Sequence, residues 1–200
     1  MTIRTGLMAT AILALAGCAG GDFDTVFSSK GPATEDVAMR WDHRPEADRW
    51  TETTLAALDS HGAGLVGTMP ADIDTWCPAY KSADEEGRKA FWTGLLSTLA
   101  KHESTWNPAA VGGGGKWFGL VQIAPATARG YGCEARSGEA LKNGEANLSC
   151  AVRIMNVTVP RDGVVSQGMR GVAADWGPFH SAKKRGDMID WMRAQPYCAG

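Results

Sequence analysis

The chain has 200 residues, and 44% of them are hydrophobic, which suits one compact domain with some additional sequence. Its formal net charge is −2. Because nucleic-acid binding requires a strongly basic face, this near-neutral balance gives no indication of a nucleic-acid partner. Beyond the leader at the start of the chain, no apolar run approaches the roughly 20 residues that span a bilayer. The composition therefore favours a globular domain and no nucleic acid.

The beginning of the chain has the pattern of an export signal. One positive charge in Met1–Arg4 precedes Gly6–Ala16, an apolar run too short for a spanning helix. The next motif, Leu15-Ala16-Gly17-Cys18, resembles a bacterial lipobox, which implies lipid on Cys18 and a location on the periplasmic face of the cell envelope. Ala19 stands where an aspartate is associated with inner-membrane retention, which favours the outer membrane. The alternative is an ordinary signal peptide with an incidental cysteine.

Four further cysteines remain in what would be an oxidising compartment, and they indicate two disulfide bonds. Three pairings are possible; we favour Cys133–Cys150, which closes a short loop, and Cys77–Cys198, which joins the start of the folded domain to its end. The longer loop would contribute several kcal/mol on the chain-entropy model. A metal site is the weaker alternative, because no pair has CxxC spacing and no histidine lies at finger-like spacing.

The sequence predicts four segments. Residues 1–17 form the signal peptide, and residues 18–45 contain Gly, Ser, Asp, Thr and Pro without periodicity, which is typical of a lipid-anchored tether. Residues 46–74 form an N-terminal helical extension, beginning with a helix over residues 45–58. Residues 75–200 form the main folded domain.

Helices dominate that domain. Ser82-Ala83-Asp84-Glu85 matches a capping box, and apolar residues then recur at three- and four-residue steps through Trp92–Leu99, so one helix face is buried. This helix ends near Glu103 or Ser104, because Asn107-Pro108 cannot continue it. No long alternating strand pattern is present, so the predicted fold is mainly α. Further helices are expected at residues 125–130, 145–156, 166–175 and 182–194.

Glu103 is the candidate catalytic residue. It follows Leu99 by four positions, so its carboxylate faces the core or a cleft wall. It also lies in the last helical turn, where the helix dipole disfavours negative charge. Desolvation and dipole both predict a raised pKa, which suits a general acid in glycoside cleavage. A solvated surface glutamate is the alternative interpretation of the helix pattern alone.

The residues around Glu103 form an ordered series of short motifs. This series resembles the catalytic stretch of the soluble lytic transglycosylase family and is densest between residues 103 and 128, within a broader resemblance over about 75–198. The resemblance implies a lysozyme-like helical domain, of the goose-type and lytic transglycosylase kind, for residues 75–200. The pieces, in order, are Glu103-Ser104, Asn107-Pro108-Ala109-Ala110, Gly119-Leu120-Val121-Gln122 and Pro125-Ala126-Thr127-Ala128.

The resemblance also implies the reaction. Glu103 would protonate the oxygen between N-acetylmuramic acid and N-acetylglucosamine in peptidoglycan glycan strands, and then accept a proton as the muramic C6 hydroxyl attacks C1. The product is a 1,6-anhydro sugar. Intramolecular attack benefits from proximity, so one carboxylate suffices, and no metal or organic cofactor is required.

Substrate contacts are expected close to Glu103. The side-chain-free Gly112–Gly115 and Gly119 would let the backbone approach a sugar, and the Gln122 amide would bind an N-acetyl group or a hydroxyl. The alternative is a flexible glycine turn, with Gln122 capping a local carbonyl. The full set of expected substrate-binding residues is Ser104, Gln122, Gly119, Trp106, Trp117, Asp175 and Trp176.

The sequence departs from the family pattern at Ala173-Ala174-Asp175-Trp176-Gly177-Pro178. This segment resembles the family's Ala-Tyr-Asn-Ala-Gly-Pro, whose tyrosine bonds near the catalytic glutamate, but Ala174 or Asp175 takes the tyrosine's place. A charged Asp175 near Glu103 would raise the pKa of Glu103 further. It would also permit hydrolysis, as in a goose-type muramidase; a catalytically weak peptidoglycan-binding lipoprotein is the non-enzymatic alternative.

Overall fold

The computed structural model describes residues 37–199. The predicted signal peptide, Cys18 and most of the predicted tether lie outside the described residues. Within 37–199 the fold is mainly α, as predicted, and none of the helices there has the length and apolarity needed to cross a bilayer. The elements are α1 (Ala47–Ser60), α2 (Ala63–Gly67), α3 (Ile73–Trp76), α4 (Glu85–Ser104), β1 (Val111–Gly112), β2 (Trp117–Phe118), α5 (Pro125–Gly130), α6 (Gly138–Leu141), α7 (Gly144–Asp162) and α8 (Ala182–Arg193).

Helix α4 is the centre of the fold. Every residue from Lys89 to Ala100 is buried, so the helix is enclosed on all sides rather than on one face. Its N-cap is Asp84, whose carboxylate accepts from the Gly87 amide at 2.9 Å. The predicted capping box at Ser82 is therefore wrong, because the Ser82 hydroxyl donates to the Ala79 carbonyl instead. The predicted end at residue 103 or 104 is confirmed.

The segment before α1 packs into the core. Met39 and Trp41 are buried, and the Trp41 ring meets Trp50 of α1 edge-on at 5.8 Å. Helix α1 packs against α7, so residues 46–74 share one hydrophobic core with the rest of the domain. The packed domain thus includes residues 37–45, which had been assigned to the tether, and it has no boundary at residue 75. Apolar residues in a polar, aperiodic segment gave no helical signal, which explains the misplaced limit.

Of the later helices, residues 125–130 and 182–193 agree with prediction, and α7 runs longer than expected. The predicted helix over 166–175 is wrong. Two 3₁₀ turns occupy Gln167–Met169 and Gly171–Ala174, because Gly168, Met169 and Gly171 have positive φ. The Asp72 carboxylate accepts three successive amides at residues 165–167, which fixes this irregular path.

Both predicted disulfide bonds are present. Cys77–Cys198 spans 121 positions and joins the segment after α3 to the end of the described chain. Cys133–Cys150 spans 17 positions and joins the segment after α5 to α7. All four cysteines are almost fully buried, with at most 3% exposed.

Because burial is equal at the two bonds, loop length should decide their contributions to stability. Replacing Cys77 and Cys198 together with alanine should lower the free energy of unfolding by roughly 5 kcal/mol, and replacing Cys133 and Cys150 together by roughly 3 kcal/mol. Urea denaturation of both double variants measures this, and each serves as the other's control. A greater loss from the short loop would contradict the chain-entropy explanation.

Candidate active site

Glu103 lies in the last turn of α4, where the helix ends abruptly. Thr105 and Trp106 both have left-handed backbone, with φ of 53° and 55°. The Trp106 amide returns to the Ala100 carbonyl, and its indole nitrogen donates to the Ser97 carbonyl at 2.9 Å. The chain is thus folded back against the helix, and Glu103 is held at the point where a buried helix reaches the surface.

The pKa of the Glu103 carboxyl group is shifted well above its ordinary value. Burial raises the pKa of Glu103 to about 7, and the Lys184 ammonium opposes that rise. Among residues 37–199 no side chain or amide donates a hydrogen bond to this carboxylate. The raised pKa predicted from helix register is confirmed, and desolvation is its main cause.

The Ser104 hydroxyl forms hydrogen bonds that hold the end of α4 in place. Its hydroxyl donates to the Leu120 carbonyl at 2.7 Å and accepts from the Asn107 amide at 3.2 Å. These bonds join the end of α4 to the loops on either side of the β-hairpin. The described contacts of Ser104 are therefore structural, and the hydroxyl positions the helix end that carries Glu103.

Gly119 faces the protein rather than a substrate. Its φ is 84°, and a side chain there would collide with the Leu141 carbonyl and the Asn147 amide. Asn147 occupies the space, accepting from the Val121 amide at 2.9 Å and donating to the carbonyls of Phe118 and Leu141. The expectation that Gly119 lets a sugar approach is corrected: the glycine is required by the Asn147 network.

Gln122 braces the same loop. Its amide nitrogen donates to the Gly119 carbonyl at 2.9 Å and to the Ala110 carbonyl at 3.3 Å, and its backbone is left-handed with φ of 51°. Its amide oxygen lies against Gly112, where a side chain would collide with it. The amide nitrogen of Gln122 therefore caps local carbonyls, which was the alternative interpretation. The Gln122 side chain also lines a cavity beside the antiparallel pair β1 and β2.

The three candidate tryptophans have different environments. Trp176 is buried and donates from its indole nitrogen to the Val121 carbonyl at 2.8 Å, and it contributes to the lining of the same cavity as Gln122. Trp106 is partly buried and packs edge-on against His43 at 4.6 Å. Trp117 is 47% exposed. Of the three, Trp117 offers the most ring surface to a ligand.

Asp175 borders a cavity of about 50 Å³ that Trp117 and Gln122 also line. Partial desolvation raises the pKa of Asp175, although the residue is exposed, while Arg161 and a hydrogen bond from Tyr131 lower it. The charge of Asp175 is not among the causes of the raised pKa of Glu103. The expectation that Asp175 raises the pKa of Glu103 is therefore corrected.

No tyrosine within residues 37–199 bonds to Glu103. Tyr131 pairs with Asp175, the Tyr80 hydroxyl donates to the Val66 and Thr68 carbonyls, and Tyr197 lies near Ala38. Ala174, at the family's tyrosine position or next to it, is exposed. In this chain the acidity of Glu103 therefore depends on burial rather than on a hydroxyl partner.

An ionic cluster beside Glu103 was not predicted. Asp187 of α8 accepts from Arg40 at 2.7 and 3.0 Å, from Lys101 at 3.1 Å and from His102 at 2.7 Å. The Arg40 guanidinium holds the pKa of Asp187 well below its usual range, whereas burial lowers the pKa of His102. The partners lie about 85 and 147 positions apart, so no local pattern indicated them. Lys184 lies about one turn before Asp187 on α8.

Within residues 37–199, no group of three or more His, Cys, Asp or Glu side chains is arranged to hold a metal ion. The site therefore offers the Glu103 carboxyl group with a pKa of about 7, the Lys184 ammonium that acts on it and the exposed ring of Trp117. It is equipped for proton transfer.

Part of the chain, including Glu103, is similar to known proteins. Residues 82–163 match the family model described as Transglycosylase SLT domain. The chain is 29% identical over 141 residues to Membrane-bound lytic murein transglycosylase F of Serratia proteamaculans (strain 568); the match covers 66% of this chain and 29% of that protein. The chain thus spans less than a third of that relative's length.

Solved structures of one protein, Bd0314 DslA, share the fold. The wild-type structure has a TM-score of 0.74 and 28% identity, covering 80% of this chain and 97% of its own. A glutamate-to-glutamine mutant has a TM-score of 0.75 and 28% identity, covering 83% and 100%. The lysozyme-like helical fold expected for this chain is confirmed.

The raised pKa of Glu103 should be visible in the stability of the protein. Between the ordinary value of 4.5 and about 7, the native state binds a proton that the unfolded chain has lost, so stability falls as pH rises through this window. Glu103→Gln removes this loss. The variant should gain roughly 1–3 kcal/mol relative to wild type between pH 4 and pH 8, after allowance for partial solvent access.

Urea denaturation at several pH values measures the difference. Glu52→Gln, an exposed position on α1, is the matched control and should show no pH-dependent gain. A difference between Glu103→Gln and wild type that does not vary with pH would contradict the burial of this carboxyl group.

Proposed function

We propose that this protein is a peptidoglycan lytic transglycosylase, because residues 82–163 match the family model described as Transglycosylase SLT domain. Its substrate is the β-1,4 bond between N-acetylmuramic acid and N-acetylglucosamine in glycan strands. The observation that carries the proposal is Glu103, the motif glutamate, desolvated at the end of α4 with a pKa of about 7. The name of the Serratia relative, a lytic murein transglycosylase, supports the same activity.

A pKa near 7 suits both steps of the reaction. About half of the Glu103 carboxyl groups are protonated at neutral pH, so the acid form is available to protonate the leaving oxygen. After the bond breaks, the resulting carboxylate accepts the proton of the muramic C6 hydroxyl as that oxygen bonds to C1. The proton taken from Glu103 is thus replaced, and the product carries a 1,6-anhydro ring.

The second step requires no water and no second carboxylate. The attacking hydroxyl belongs to the same sugar, so its effective concentration at C1 is high. Two-carboxylate glycosidases use the second group as a nucleophile or as a base for water. In this chain Asp175 is paired with Tyr131, and its charge does not act on Glu103, which favours the one-carboxylate route.

The neighbouring residues divide into two groups. Trp117, exposed beside the cavity that Gln122 and Asp175 line, is the proposed sugar-stacking surface. Ser104, Gly119 and Trp106 hold the loops around Glu103, and the buried Trp176 contributes to the lining of the same cavity.

The proposed location is the bacterial cell envelope, on the periplasmic face. The lipobox-like motif at Cys18 supports a lipid anchor, and the relative's name describes a membrane-bound protein. Ala19 supports an outer-membrane position, because an aspartate at this place is associated with inner-membrane retention.

Replacing Glu103 with glutamine tests the activity. The variant keeps the shape of the side chain but lacks a transferable proton, so cleavage of isolated sacculi should fall by roughly 10²–10⁴-fold. Mass spectrometry of the wild-type digest should show 1,6-anhydro ends. Glu52→Gln is the control and should cleave at the wild-type rate. Reducing ends in place of anhydro ends would establish hydrolysis, and near-normal turnover by a folded Glu103→Gln would reject the assignment.

Replacing Asp175 with asparagine separates the two chemistries. Because its charge does not act on Glu103, Asp175→Asn should leave the alkaline limb of the pH profile and the share of anhydro products unchanged. The rate should fall modestly, through loss of the pairing with Tyr131. A selective loss of reducing-end products would instead identify Asp175 as the residue that holds a hydrolytic water.

A further inference from the structure

Lys184 lies in the first turn of α8, the helix that packs against α4. The two helices pack antiparallel: Gly94 of α4 is close to Met192, and Lys101 and His102 bond to Asp187 one to two turns further along. Continuing that register by one turn of α8 brings Lys184 level with the end of α4. The Lys184 charge accordingly acts on Glu103, which no other charged side chain within residues 37–199 does appreciably.

The Lys184 side chain is exposed, and within residues 37–199 no carboxylate lies in salt-bridge range of its ammonium. Its neighbours differ from it. Arg185 donates to the Phe179 carbonyl at 2.6 Å, and the charge of Lys183 has no effect on Glu103. Lys184 is therefore an exposed cation without an acidic partner in the described part of the chain.

The other basic side chains near the end of α4 bond to partners of their own. Lys101, His102 and Arg40 converge on Asp187. His180, in the 3₁₀ turn that packs against α4, bonds to the Ala173 carbonyl. The bonds of Lys101 and His102 to Asp187 hold α8 against α4, and this packing sets the position of Lys184 relative to Glu103. Both Lys184 and Asp187 lie beyond the segment that matches the family model.

A cation at this place opposes the proposed chemistry in the free enzyme. It lowers the pKa of Glu103, and a general acid must hold its proton until the bond breaks. The conflict disappears if an anion of the substrate neutralises the ammonium on binding. Muramic acid differs from glucosamine by a lactyl ether, which ends in a carboxylate on peptide-free strands and carries a stem peptide, with its own carboxylates, on others.

We propose that Lys184 binds a carboxylate of the glycan substrate and thereby couples substrate binding to protonation of Glu103. The inference rests on the proposed function. Pairing with the carboxylate cancels the field of the ammonium at Glu103, so burial alone then governs the carboxyl group and it takes up a proton. Lys184 is on this view a specificity-determining residue for acidic, muramic-acid-containing strands, as opposed to neutral chitin-like ones.

Binding of short ligands tests the recognition without any cleavage. The disaccharide GlcNAc-MurNAc with a free lactyl carboxylate contains no MurNAc–GlcNAc bond, its peptide-bearing form supplies stem-peptide carboxylates, and chitobiose is the neutral comparator. Lys184→Gln should weaken binding of the carboxylate ligand roughly three- to tenfold in calorimetry and leave chitobiose binding unchanged. Lys183→Gln, on the same helix, should leave all three unchanged.

The two sources of the carboxylate give different results. A loss confined to the free disaccharide identifies the lactyl group, and a loss confined to the peptide-bearing form identifies the stem peptide. An equal loss for chitobiose, or no loss for either acidic ligand, would overturn the proposal. Circular dichroism confirms that each variant is folded, which the exposure of both lysines favours.

Proton uptake tests the coupling. Calorimetry near pH 7 in buffers of different ionisation enthalpy should show that wild type takes up part of a proton on binding the acidic disaccharide and none on binding chitobiose. Lys184→Gln and Glu103→Gln should abolish the uptake. Undiminished uptake in Lys184→Gln would overturn the coupling. Because no arm requires turnover, failure of the proposed function would show separately, as absence of cleavage by wild type.

Discussion

The partial burial of one carboxyl group at the end of a helix whose middle is fully enclosed is the constraint on which the site depends. Helix α4 is surrounded by core from Lys89 to Ala100, and the left-handed backbone at Thr105 and Trp106 stops it one turn later. Glu103 is therefore desolvated without being bonded. The loop that follows, braced by Ser104, Gln122 and Asn147, keeps the helix end in this position.

This arrangement exchanges stability for chemistry. A buried acid without a hydrogen-bond partner costs free energy whenever it is charged, and most proteins avoid it by pairing or exposing the group. Here the cost is tolerated because two disulfide bonds and a core that includes Trp41, Trp50 and Trp92 hold the surrounding helices. An unfavourable buried group at a functional site is compensated by stabilising interactions elsewhere in the fold.

Local patterns predicted much of this structure. The spacing of apolar residues, the positions of prolines and the number of cysteines predicted helix α4 and its end, the boundaries of α5 and α8, both disulfide bonds and the raised pKa of Glu103. The failures have a common cause. The burial of Met39 and Trp41, the bonds that Asn147 makes to the Gly119 loop and the ionic cluster at Asp187 are contacts between distant parts of the chain. The irregular segment 166–175 belongs with them, because the Asp72 carboxylate dictates its path from 93 or more positions away.

The contacts of Asp187 have a consequence for acid tolerance. Helix α8 is held covalently beyond its C-terminal end, through Cys198, and ionically at its middle, through Asp187. A carboxylate whose pKa is depressed keeps its ion pairs until the pH falls far below the range in which ordinary surface acids are neutralised. Glu103 gains its proton near pH 7, long before that point. Acidification therefore protonates Glu103 while α8 stays packed against α4. The packing of these two helices sets the order in which Glu103 and Asp187 titrate.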